Sequence, residues 1–181
     1  MAVTVAALIA GIVAGCGGGG RKRPLRSECL AFQSSAAPTA SKVVAQQGSG
    51  TTCEAVQVEL VLTDVADVQT VEFTVIYDPA VAQYEGVSLA GSVLGTAPPP
   101  NVLENESPGQ VTIDLSLLGG TGVDFNGPGT LVRLIFSPVS GAPAAMSGLS
   151  FGATQIFGSE TPPQEKPGIQ WIGGEFQLTV S

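Results

Sequence analysis

The sequence predicts an all-β protein, a two-sheet antiparallel β-sandwich of jelly-roll type with about nine strands, and three observations lead there. The stretch VQVELVLTDVADVQTVEFTVIYDPAV, residues 56–81, alternates apolar and polar residues through two successive runs, the period-two signature of half-buried strands. Glycine (24) and proline (13) punctuate the 181 residues densely, and short strands separated by turn formers build sandwiches rather than helical layers. No long stretch repeats its apolar residues at the three-and-four spacing of a helix.

Taken in order, strand signals fall at Lys42 to Gln46, Val56 to Thr63, Thr70 to Tyr77, Tyr84 to Leu89, Val111 to Leu117, Leu131 to Phe136 and Gln177 to Val180, with shorter candidates at Leu149 to Phe151, Gln155 to Phe157 and Ile169 to Ile172. Val56, Val58, Leu60 and Leu62 share one parity; Val71, Phe73, Val75 and Tyr77 repeat the pattern. The polar break Asp64 to Val68 predicts that these two runs are neighbouring antiparallel strands. Pro79 ends the second run because it has no amide hydrogen for a ladder, and Asp78 suits the turn by accepting from amides two residues on. Pro98-Pro99-Pro100, Ser107-Pro108-Gly109, Asn126-Gly127-Pro128-Gly129 and Thr161-Pro162-Pro163 supply further turns.

Charge and composition narrow the function. Four of seven basic residues, Arg21, Lys22, Arg23 and Arg26, lie in one run, leaving three basic against fourteen acidic residues from Ser41 onward, a net of −11. Such a domain repels phosphate backbones, which excludes nucleic acid as a partner. Histidine is absent, and with it the commonest general base and the usual zinc ligand. An enzyme is therefore not expected, and no cofactor is assigned.

Residues 1–15, MAVTVAALIAGIVAG, are apolar, too short to cross a bilayer comfortably but of signal-peptide length. Val13-Ala14-Gly15-Cys16 resembles the lipobox of bacterial lipoproteins. The resemblance implies cleavage before Cys16, acylation of its sulfur, and an exported protein anchored at an outer membrane or cell surface, since two or three acyl chains hold where one does not. The basic run follows the apolar segment instead of preceding it, so a start further upstream, a signal anchor, or a Cys16 that is an ordinary small residue are the alternative readings. Residues 16–40 then read as a lipidated cysteine and flexible tether, and 41–181 as the sandwich domain. With Cys16 set aside, Cys29 and Cys53 remain, and an exported chain most simply pairs them.

From about Val43 to Val180 the residues resemble the cohesin domains that dock enzymes onto bacterial polysaccharide-degrading assemblies. The anchors are Val71-Glu72-Phe73-Thr74-Val75-Ile76-Tyr77-Asp78-Pro79-Ala80-Val81, then Pro108-Gly109-Gln110-Val111-Thr112-Ile113, then Gly129-Thr130-Leu131-Val132-Arg133-Leu134-Ile135-Phe136. The resemblance implies a nine-stranded jelly roll, one face of which binds a dockerin, a small module that carries its own Ca²⁺ on a partner enzyme of polysaccharide catabolism. It places the contact at the outward positions Thr70, Glu72, Thr74 and Ile76; Thr70 and Glu72 stand where well-characterised members carry Asn and Asp. Ala82 departs from the bulky aliphatic residue usual there.

Other chemistry reads more blandly. Glu104 with Glu106, and Asp64 with Asp67, are the nearest carboxylate pairs, but nothing sets either pair across a glycosidic bond, and both read as solubilising turn and loop charge. Asp124 and Asn126 begin a Ca²⁺ ligand set without regular spacing, so no metal site is assigned. Trp171 is the residue for an alternative reading, a carbohydrate-binding or adhesive module in which its indole stacks on a sugar; a lone Trp among apolar residues otherwise packs in the core or at an edge.

Overall fold

The computed structural model describes residues 27–95 and 98–181. Eleven strands form two sheets. They are β1 (Glu28–Ser34), β2 (Lys42–Gln47), β3 (Val56–Val68), β4 (Thr70–Ile76), β5 (Ala82–Ser88), β6 (Asn101–Ser107), β7 (Gln110–Ser116), β8 (Val123–Pro138), β9 (Ala145–Phe157), β10 (Gln170–Ile172) and β11 (Gly174–Val180). One sheet has the order β1-β11-β9-β4-β7-β6, the other β10-β2-β3-β8-β5. All ladders are antiparallel except the short β10–β2 pairing, which is parallel. The jelly-roll sandwich is therefore as expected, with eleven strands rather than about nine.

The two alternating runs both bury their apolar parity completely: Val56, Val58, Leu60 and Leu62 from one, Val71, Phe73 and Val75 from the other. They are not neighbours, however. β3 belongs to the five-stranded sheet and β4 to the six-stranded one, so they face each other across the core. Period-two burial is the same whether two strands sit side by side or on opposed sheets, which is why the alternation did not distinguish them. The expected break at Asp64 to Val68 is part of β3: Asp64 (φ 52°) and Asp67 (φ 53°) are left-handed and the register against β8 slips at both places. Such bulges sharpen twist, and here they carry the chain from one sheet to the other within one residue, Gln69.

Two strands lie where the sequence gave no strand signal. β1 occupies part of the stretch assigned to a tether, pairing with β11 from Glu28↔Val180 to Ser34↔Gly174; Leu30 and Phe32 point into the core from it. β6 is an edge strand whose residues, apart from half-buried Val102, are all exposed, so it has no buried stripe to read. It returns through Pro108-Gly109 to β7, with Gly109 at φ +78°, a conformation that glycine adopts without strain. Asp78 accepts from the Ala80 amide through Oδ1 at 2.9 Å, closing the turn after β4, and Ala82 opens β5 fully buried.

The core is aromatic at its centre. Phe136 meets Tyr77, Tyr84 and Phe176 edge-on at centroid distances of 5.3, 5.6 and 4.8 Å, geometry that the ring quadrupole favours. Cys29 and Cys53 form a disulfide, tying β1 to the β2–β3 connection.

Candidate functional site

Because β4 lies between β7 and β9, its outward residues stand in the middle of a broad face. Thr70 lies beside Ser116 and Phe157, Glu72 beside Asp114 and Gln155, and Ile76 beside Gln110 and Ser150; Thr74 pairs with Thr112. Beyond β7 the row continues to Asn101, Leu103, Asn105 and Ser107 on β6. The four residues expected to share an outward face do share it. Ile76 sits on an interior strand rather than at an edge, and is still 42% exposed.

The sequence supplies this face for two reasons. Phe73, Val75, Ile113 and Leu115 pin the inward parity of β4 and β7, so the intervening residues must face out. Short hydroxyl ladders then fix the outward row: Thr70 Oγ1 lies 3.1 Å from Ser116 Oγ, and Thr74 Oγ1 lies 3.0 Å from Thr112 Oγ1. Thr74 is 8% exposed; its role is to hold β4 against β7 more than to offer contact. Gly152 lies against Thr74 and Ile76, where a Cβ would come within 3.3 Å of the Thr74 Cβ, and its missing side chain keeps the face flat.

Of the four exposed large apolar side chains among the described residues, Leu103 (60%) and Ile76 belong to this face, Met146 (65%) lies on the same sheet beyond the end of β4, beside β11, and Leu118 lies beyond β7. None of the six strands carries Lys or Arg. Glu72 and Asp114 stand directly opposite one another, an arrangement that costs stability on an exposed sheet. With Leu103, Glu104, Asn105 and Thr112 they line a shallow cleft of about 230 Å³. Among the described residues the basic side chains are engaged elsewhere or lie on the other sheet: Arg133 Nε donates to Glu59 at 2.8 Å, Lys166 contacts Asp67 and Glu160 at 3.2 Å, and Lys42 is on β2. Leu103, Asp114 and Met146 escaped the sequence reading. The alternation after Pro108-Gly109 places Asp114 outward, but only the pairing of β7 with β4 sets it against Glu72.

The remaining candidates fall outside this face. Glu104 and Glu106 lie on β6 and not in a loop, and Glu104 Oε2 accepts from the Tyr84 hydroxyl at 2.6 Å, closing the open edge between the sheets. Burial first, and the Glu104 carboxylate second, raise the Tyr84 phenol above its ordinary value. Asp64 and Asp67 are likewise not loop charge. Asp64 accepts from the Gly127 amide at 2.7 Å. Asp67 accepts from the Ser159 hydroxyl and amide at 2.6 and 3.0 Å and is held by these, with Lys166, at a pKa of about 2. Burial alone would lower the Lys166 ammonium, but its bonds to Asp67 and Glu160 keep it above the usual value. Asp124 Oδ1 accepts from the Asp67 amide at 2.8 Å and braces the bulged end of β3; Asn126 is exposed on β8. Trp171 stacks on Phe73 at 5.1 Å and meets Phe151 at 5.2 Å, so its ring is committed to the core margin. Cys16 lies outside the described residues.

An acidic, partly apolar outer sheet face is a surface of the kind that suits contact with another protein. The cohesin domain model matches residues 41–162, and the chain belongs to this family of non-catalytic protein-binding modules. Among solved structures, the sixth cohesin of scaffoldin B from Acetivibrio cellulolyticus, in complex with a mutant Cel5 dockerin, superposes with a TM-score of 0.58 at 18% identity, covering 79% of this chain and 96% of that one. The cohesin of the OlpA–dockerin complex from Clostridium thermocellum gives 0.56 at 12%, covering 81% and 96%. A non-cellulosomal cohesin from the archaeon Archaeoglobus fulgidus gives 0.53 at 15%, covering 81% and 88%. No curated protein matches.

Proposed function

We propose that the outer face of the six-stranded sheet, centred on Glu72, Ile76 and Asp114, docks a dockerin-like module borne by a partner protein, which a role in polysaccharide catabolism would make an enzyme. The observation that carries this reading is an opposed carboxylate pair, Glu72 and Asp114, with exposed Leu103 beside it and exposed Ile76 further along β4, on a sheet face without a single Lys or Arg. Solved relatives of the same fold are complexes with dockerins. Any Ca²⁺ belongs to the partner. The leader and Cys16 place the protein, in the same proposal, as an exported lipoprotein at an outer membrane or cell surface, with the basic run and tether between anchor and sandwich.

Two measurements test it. The full chain, immobilised, should retain a calcium-loaded dockerin and release it on chelation, while Ile76→Asp should abolish retention without shifting Tm; binding indifferent to both removes the docking reading. Cells fed an alkyne-bearing palmitate should label the wild type and not Cys16→Ser, and equal labelling of both would end the lipoprotein reading. The carbohydrate-binding alternative has no specific support, because Trp171 is stacked on Phe73.

A further inference from the structure

The disulfide joins two places that matter mechanically. The chain enters the sandwich at Ser27, which exchanges backbone hydrogen bonds with Ser181 at 3.1 and 3.0 Å, and then runs as β1 along β11. β1 is an edge strand with a ladder on one side only. A strand pulled from its first residue, against a partner antiparallel to it, loses its ladder bonds one after another instead of together, so each resists alone. Tension entering through residues 1–26 therefore meets an edge strand first.

Cys29 is the third residue from that entry, and it is bonded to Cys53. Cys53 lies in the β2–β3 connection, which is itself pinned by Thr52 N→Ala55 O at 2.9 Å and Gly48 N→Gln57 O at 2.7 Å. Three residues after Cys53 begins β3, thirteen residues long, with β2 on one side and β8 on the other. The free side of β1 is also sewn to this region: the Leu30 amide donates to the Cys53 carbonyl at 3.1 Å and the Phe32 amide to Gln47 Oε1 at 2.9 Å. We propose that the Cys29–Cys53 disulfide is a tension bypass, which takes force arriving through the N-terminal segment off the edge strand β1 and delivers it to β3, a strand paired on both sides. A docked partner held against flow would exert such a force on an anchored protein, and that source of the force rests on the proposed docking; the path through the fold does not.

The test uses no partner, so its failure and the failure of the docking reading are separable. The full chain, oxidised and held in detergent, is pulled in an optical trap between azide-bearing residues at Asp114 on β7, a strand paired on both sides, and at either Gly18 or Gln33. Gln33 is exposed on β1, inside the disulfide-closed loop. From Gly18 the bypass predicts no extension before the main rupture. From Gln33, where tension enters β1 beyond the disulfide, it predicts an early, lower-force extension of at most about 1.4 nm, the four residues back to Cys29 at ~3.4 Å each, after which the disulfide again carries the load. The Cys29→Ser, Cys53→Ser double variant pulled from Gly18 should show a longer early step, at most about 5 nm, as β1 and the segment to Lys42 peel away. Identical traces from the two handles in the oxidised protein would overturn the proposal, whether or not the serine variant folds, and would leave the disulfide as a staple acting only through the unfolded chain.

Discussion

Replacing Glu72 by lysine separates what the proposed docking face does for stability from what it does for binding. Glu72 and Asp114 are directly opposed on adjacent strands, which puts their side chains about 5 Å apart at the Cβ atoms. Two like charges at that distance repel by about 0.8 kcal/mol in bulk water, and reversing one of them turns the repulsion into an attraction of the same size. Salt screening and the entropy of fixing a long side chain remove most of this swing on an exposed surface. The expected gain is about 0.5 kcal/mol, or a rise of about 1–2 °C in Tm for a domain of this size. Binding should move the other way. A partner that matches an acidic, cation-free face loses an attraction and gains a repulsion, which at about 1.4–2.8 kcal/mol weakens it 10- to 100-fold. Calorimetric titration with a dockerin, beside thermal unfolding of the same preparations, reads both quantities. Glu72→Lys that unfolds the domain, or that is more stable yet binds unchanged, would refute the assignment of this carboxylate pair to the contact.

Three other substitutions probe the scaffold. Tyr84→Phe removes the hydroxyl that donates to Glu104 across the sheet edge and should cost about 1 kcal/mol by urea titration, at the low end for a bond to a charged group because Glu104 is exposed. Phe73→Ala empties the site on which Trp171 stacks and should cost about 3–5 kcal/mol, with a red shift in the fluorescence of the single Trp. The Asp67 carboxyl, bonded by Ser159 and Lys166, has a folded pKa of about 2 against an ordinary 3.8. A depressed carboxylate contributes stability that is complete above its unfolded value and is lost as pH falls through the folded one. Asp67→Asn should accordingly flatten the loss of stability between pH 4 and pH 2, and acid titrations of equal slope for the two proteins would contradict the assignment.

How much of this was legible in the sequence depends on what each residue faces. Alternation reports only which residues are buried, so the inward parity of β3, β4, β7 and β8 could be read, and with it the outward positions Thr70, Glu72, Thr74 and Ile76. It does not report which strand lies beside which. Hence β3 and β4 read as neighbours, though two left-handed aspartates send the chain across the core between them. Hence also Asp114 and Leu103 were missed, since they reach the face only through the ladders β4–β7 and β7–β6. β1 was absorbed into the tether because only Leu30 and Phe32 of its seven residues are buried, too few to make a pattern in a stretch of Ser, Ala and Pro. The cysteine pair was visible before the strand that it anchors, because parity of cysteines in a chain read as exported needs no knowledge of the fold. That order has a consequence for the family comparison. The matched region begins at residue 41, so β1 and Cys29 lie outside it. The family comparison thus bears on the proposed docking face, while the way the N-terminal edge is fastened has to be argued from this chain's own residues.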